Sequence, residues 1–209
     1  MDIRRRAGWL PSGQEDLEAW LAGHQDRTEA RAGRELHPAV VELRELLDSD
    51  ALLRMYFERM VAEVPPGKSY SKRLVRDVPQ LLRLVDSVLT IAPEFSADSM
   101  VMTPLNAVFD WAMGTTAGFA AFRDPRVNAA LKKILNAWCD YLTSRDSLYV
   151  LNDSPAGWKS PDAQEAVGMG QYQHDPDDEH WGFTSWNDFF TRRRSEERRV
   201  GKEGRSRWS

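Results

Sequence analysis

One cysteine, Cys139, occurs in 209 residues, so no disulfide forms within the chain, and a reducing, cytoplasmic setting is expected. No secretory leader is expected, because the basic stretch from Met1 to Arg6 is not followed by a hydrophobic segment. Long apolar runs are missing too. The nearest, Met100 to Phe122, carries only Asp110 as a formal charge, but Thr103, Pro104, Asn106, Gly114 and the Thr115-Thr116 pair interrupt it, which reads as a buried helix and a loop, not a bilayer crossing. There is no phosphate loop, since Gly114-Thr115-Thr116-Ala117-Gly118 follows a helical stretch and has no lysine. Nor is there a Gly-x-Ser-x-Gly nucleophile elbow, and none of the 13 glycines is followed by serine. A net charge of -4 argues against nucleic acid as a partner.

What is present suits a helical core. Apolar residues make up 42% and aromatics 10% of the chain, enough for one domain or two small ones. The charge is unevenly spread: residues 194–209 hold six basic and three acidic side chains, whereas residues 1–193 hold 22 basic and 29 acidic, a net -7.

Along residues 1–36, Ser12 and Glu15 have the form of a capping box that starts a helix near Gln14, with Leu17, Trp20 and Leu21 on one face. His24 falls in a polar stretch and is expected on a solvated face. His37-Pro38 opens a second helix, and Asp48-Ser49-Asp50 closes it and caps a third that carries Leu52, Leu53, Tyr56, Phe57, Met60, Val61 and Val64. Pro65-Pro66-Gly67 stops that helix.

Leu74, Val78, Leu81, Val85 and Val88 form a two-heptad seam, with regular helix expected from Pro79. Thr103-Pro104 and Asp124-Pro125 each place a capping side chain before a proline at the first helical position. Gly114 to Phe122, between those helices, is a small-residue connection that lets two backbones approach closely. Beyond Tyr141 the periodicity fades: residues 147–151 suggest a short extended segment, and Asn152 to Glu179, rich in Pro, Gly and Asp, a loop or linker.

Few residues invite a chemical role. His174-Asp175-Pro176-Asp177-Asp178-Glu179-His180 holds metal-ligand types at a spacing that fits no helical face and reads as a solvated linker. Cys139 lies late in its helix, far from the helix N-terminus or cationic surroundings that would activate a thiolate. Asp86, Asp110 and Glu94 are carboxylates on or beside helices, better suited to pairing or solvation. Trp181-Gly182-Phe183-Thr184-Ser185-Trp186-Asn187-Asp188-Phe189-Phe190-Thr191-Arg192-Arg193 packs five large rings into ten residues, as a small core or a docking face would.

Several blocks, in order, resemble the phosphatidylserine decarboxylase-like family, whose members include fungal tryptophan decarboxylases. They are Gly8-Trp9-Leu10-Pro11, Pro104-Leu105-Asn106, Trp111-Ala112-Met113-Gly114-Thr115, Gly118 to Phe122, Asp124-Pro125-Arg126-Val127-Asn128, Ser147 to Asn152, Gly157-Trp158, and the Ser185-x-Asn187-x-Phe189-Phe190-x-Arg192 run. The resemblance implies a self-generated pyruvoyl cofactor, made from the serine of a Gly-Ser pair, whose ketone takes up the substrate amine and accepts electrons as carbon dioxide leaves. It also implies an aspartate and a histidine acting after the Phe-Phe-x-Arg motif. Because no Gly-Ser pair occurs, no catalytic, cofactor-binding or metal residue is assigned, and the chain by itself is expected to be inactive.

From Arg194 onward, RSEERRVGKEGRSRWS departs from the family pattern and resembles a translated sequencing adapter. The expected organisation is mainly α. An N-terminal segment with a short helix (1–36) precedes a helical, bundle-like accessory domain (37–151) and a linker (152–180). The first segment of an absent α+β catalytic domain (181–193) and an artefactual, disordered tail (194–209) follow. The expected partners are that catalytic domain and an amino-acid substrate, or phosphatidylserine; neither nucleic acid nor a membrane is expected, and a homo-oligomer stays open. The rings of 181–193 are then expected to lack their packing partners. A competing reading makes the chain a free-standing helical module that grips a partner protein through Trp181–Phe190.

Overall fold

The computed structural model describes residues 14–29, 33–63, 75–97 and 101–195. The capping box at Ser12, the Gly8–Pro11 block, Val64, the Pro65-Pro66-Gly67 stop, Leu74 and the tail from residue 196 lie outside them. The architecture is mainly α, and no β-strand is present among the described residues. The fold divides into two units: Met1–Pro93 with Asp98–Asp140, and Glu94–Ala97 with Tyr141–Ser209.

The first unit is built from helices started by local chemistry. After α1 (Gln14–Glu29), α2 (Pro38–Ser49) begins at His37, whose Nδ1 accepts from Ala39 N, with Pro38 in the first turn. Asp50 ends α2 through its amide on Leu46 O and starts α3 (Ala51–Ala62), its carboxylate accepting from Leu52 N and Leu53 N. Asp77 caps α4 (Val78–Val88), one residue before the position expected from Pro79. Thr103 precedes α5 (Pro104–Met113) without a side-chain cap bond, so there Pro104 alone supplies the expected start signal. Thr115 caps α6 (Thr116–Ala121), and Asp124 accepts from Arg126 N at the head of α7 (Pro125–Thr143).

The apolar faces of these helices meet in one cluster that includes Val40, Leu43, Phe57, Met60, Leu84, Val85, Val88, Ala121, Val127 and Ile134, all fully buried. Each such Leu, Ile or Phe contributes about 1.5–3 kcal/mol of transfer free energy, so this cluster holds the unit together. Leu52 and Leu135, although in phase with the stripes, are exposed. Gly114 to Phe122 holds a helix, not only a connection, and it needs its glycine: a Cβ on Gly118 would lie 1.8 Å from Ala112 O.

The expectation for His24 is overturned. It is buried, stacked on Trp20 at 4.9 Å between ring centroids, and its Nε2 lies 2.7 Å from Ser87 Oγ and 3.2 Å from Leu84 O. Thr28 Oγ1 also reaches Ser87 Oγ at 2.9 Å. His24 Nε2 and Thr28 Oγ1 on α1 thus find their partners on α4, some sixty residues away, which local composition does not reveal.

In the second unit, residues 147–151 do not extend. Arg145–Val150 forms a 3-10 helix, because Ser144 and Ser147 turn their hydroxyls onto nearby carbonyls and tighten the chain. Asn152 to Glu179 is not only loop. Ser160-Pro161 repeats the cap-then-proline signal and starts α8 (Pro161–Val167), which Gly168 ends in the left-handed conformation, φ 62°. A 3-10 turn at Met169–Gln171 follows, and α9 (Trp186–Phe190) is capped by Ser185. Gln173 N donates to Arg193 O and Ser195 N to Gln171 O, flanking an isolated antiparallel bridge between Tyr172 and Arg194.

Candidate functional site

The aromatic centre of the second unit is where the sequence places its most unusual residues. Ser185 accepts from Asp188 N at 3.1 Å and so turns the chain into α9. That turn drives Phe189 inward to 1% exposure. Around it stand Trp158 at 5.4 Å, Phe183 at 5.5 Å and Trp181 at 6.5 Å between ring centroids, and Phe95 packs edge-on against Trp158. On the other side of α9, Phe190 stacks on Trp186 at 4.9 Å and is 38% exposed. The expectation that these rings lack partners is therefore corrected: residues 94–97 and 141–195 supply them.

The acidic run is folded around the same centre. Asp178 accepts from His180 N at 2.8 Å and Gly182 N at 2.9 Å, and those amides, Gly182's first, hold its carboxyl below the usual range. The turn puts Trp181 at φ 58° and Gly182 at φ 78°. For a bulky residue such as Trp181 the left-handed conformation costs about 1–3 kcal/mol, offset here by burial of its ring to 6% exposure. Lys159 Nζ donates to Glu179 O and lies 5.7 Å above the Trp181 ring.

The two histidines serve the same turn. His174 donates from Nδ1 to Tyr172 O at 2.9 Å and meets Trp181 edge-on, while His180 donates from Nδ1 to Leu151 O at 3.2 Å. No group of three or more His, Cys, Asp or Glu side chains among the described residues is placed to hold a metal. Cys139 is exposed on α7, Glu94 is exposed, and Asp86 accepts the His37 amide at 2.6 Å. Asp110 is partly buried, which raises its carboxyl above the usual value.

Arg192, at the end of the motif, has its guanidinium 4.3 Å from the Tyr172 ring and 4.7 Å from that of Phe189. Burial pushes its pKa down, against the opposing pull of Tyr172. The role of Tyr172 was not legible in advance, since nothing near it in sequence marks it as the platform for an arginine twenty residues on. Among the described residues the centre buries rings and satisfies turns. The free-standing module reading loses most of its surface, because Trp181, Trp186 and Phe189 are all buried.

Comparison with known proteins gives a concordant set of matches. A family model described as phosphatidylserine decarboxylase matches residues 37–167. "Decarboxylase iboD" of Amanita muscaria is 38% identical over 97 residues, 43% of this chain and 28% of its own. An L-tryptophan decarboxylase of Psilocybe cubensis is 26% identical over 168 residues, 74% of this chain and 36% of its own. One of Psilocybe cyanescens is 24% identical over 205 residues, 90% and 44% respectively. The chain thus spans less than half the length of each of these curated relatives.

Proposed function

This chain belongs to the phosphatidylserine decarboxylase family, and on that premise we propose that it is the helical N-terminal portion of a pyruvoyl-dependent decarboxylase. The substrate class is an amino acid, aromatic by preference, or phosphatidylserine. The observation that carries the proposal is the Ser185-x-Asn187-x-Phe189-Phe190-x-Arg192 run, which is packed within the second unit and resembles the segment that leads into the family's catalytic domain. The preference for an aromatic amino acid is supported by the names of two relatives, both L-tryptophan decarboxylases.

The residues present do not fit the cofactor's formation. None of the 13 glycines precedes a serine, and His174 and His180 each engage a carbonyl within the Trp181 turn. No catalytic step is therefore assigned to this chain; its part is to fold and to present the motif to the remainder of the enzyme. We place the whole protein in the cytoplasm, a reading supported by the lone cysteine; among the described residues no helix is long and apolar enough to cross a membrane.

Release of carbon dioxide from carboxyl-labelled tryptophan, tyrosine and phosphatidylserine tests the proposal. The protein translated from an independent clone of the locus is expected to release it from one of them, and residues 1–209 from none. Release by residues 1–209 alone overturns the proposal, as does a complete protein silent on all three.

A further inference from the structure

Arg192 carries a positive charge that no carboxylate among the described residues neutralises. The Tyr172 and Phe189 rings cover its guanidinium, and its Nη1 donates to Phe189 O at 3.1 Å. Its Nε is buried with no acceptor, and among the described residues no carboxylate forms an ion pair with it. The described residues thus leave the Nε–Nη2 edge, the side by which a guanidinium grips a planar anion, without an acceptor at Nε.

Aromatic faces stabilise a cation above and below its plane, but they do nothing for N–H groups that point outward within the plane. A partly buried charge left in that state is costly, and such charges are ordinarily paired. A carboxylate matches the two parallel donors of that edge in shape and sign. A second donor on the same segment shares the deficit: Trp186 Nε1 is buried and has no acceptor. Both orphans are donors and both lie between Ser185 and Arg192, so what the segment lacks is an acceptor, not a further cation or apolar cover.

We propose that Arg192 is a carboxylate receptor, its Nε–Nη2 edge binding a carboxylate that the described residues do not supply. Two sources share that chemistry: a small amino acid, or an Asp or Glu side chain of the polypeptide that completes the enzyme. Only the second rests on the function proposed above.

The test uses the full 209-residue chain, 15N-labelled, and follows the arginine Nε–H resonances. Sodium acetate is titrated against sodium chloride at equal ionic strength, and L-tryptophan is titrated separately. Arg192→Lys identifies the resonance by its loss, and sequential assignment gives the same identification should that variant not fold. The Arg192 Nε–H signal is expected to move downfield and saturate with acetate but not with chloride. Saturation by tryptophan at a concentration lower by about tenfold or more, roughly 1.4 kcal/mol tighter, assigns the site to a small amino acid; tryptophan no tighter than acetate assigns it to a side chain. A signal unmoved by both carboxylates, or moved equally by chloride, overturns the proposal. Because the titration needs no decarboxylation, failure of the carbon dioxide assay would remove the functional reading and leave this result standing.

Discussion

The amide of Trp186 donates to Ser147 Oγ at 2.9 Å, in a buried bond across 39 residues. Ser147 passes the link on, its hydroxyl lying 2.7 Å from Ser144 O and 3.0 Å from Leu142 O. The motif helix is thereby tied to the 3-10 turn by one fully buried hydroxyl. Replacing it leaves the Trp186 amide without an acceptor, which costs about 1–3 kcal/mol. Ser147→Ala is expected to lower the stability of residues 141–195 by that amount in urea, read by tryptophan fluorescence.

Phe189 and Phe190 are adjacent and chemically identical, yet they differ in burial, 1% against 38% exposed. Phe189→Ala opens a cavity among Trp158, Trp181 and Phe183 and is expected to cost about 3–5 kcal/mol. Phe190→Ala removes one stacked ring from Trp186, at a cost of about 1 kcal/mol. Paired denaturation curves separate the two; equal losses would contradict the packing described.

Two glycines give opposite predictions. Gly118→Ala drives a methyl group against the Ala112 carbonyl, 1.8 Å away, and is expected to destabilise the first unit by about 3 kcal/mol, at the upper end for overpacking. Gly23 sits within α1 with nothing within 4 Å of a Cβ, so Gly23→Ala is expected to stabilise by about 0.5–1 kcal/mol. Thermal melts of both variants check the pair.

Arg126 bridges Asp124 and Asp50, at 2.9 Å from each, and so joins the heads of α7 and α3. Its guanidinium holds the Asp124 carboxyl down at about 2, from an ordinary 3.8. Because the folded value lies below the unfolded one, the stabilisation is complete above the ordinary value and is lost as pH falls from 3.8 towards about 2. Carboxyl-carbon NMR is expected to show Asp124 titrating at that low value, and returning towards the ordinary one in Arg126→Gln. Asp50 is lowered as well, first by the Leu53 amide and then by Arg126.

Most helix starts were legible because their signals are local. His37-Pro38, Asp50 and Asp124-Pro125 each place an acceptor, a proline or both within three residues of the amides they serve. Ser160-Pro161 carries the same signal, but α8, at seven residues, is too short to show a stripe that would support it. Leu148 and Val150 alternate as in a strand, yet both are buried on a 3-10 turn, where serine hydroxyls and not side-chain period set the backbone. His24 and the rings around Phe189 were illegible for a different reason: their partners are distant in sequence. At the site, the Ser-x-Asn-x-Phe-Phe-x-Arg pattern could be read at once, but that Tyr172 underlies Arg192 and that Ser147 holds Trp186 are facts of tertiary packing.

We propose that this chain is the helical part of a pyruvoyl-dependent decarboxylase. Intact-mass and peptide mass spectrometry of the protein purified from its natural source tests it most directly. The expected result is a polypeptide that continues past Arg193 into sequence other than residues 194–209, and a second peptide whose N-terminus is a pyruvoyl group. A single polypeptide ending at Ser209, with no pyruvoyl terminus in the preparation, would contradict it.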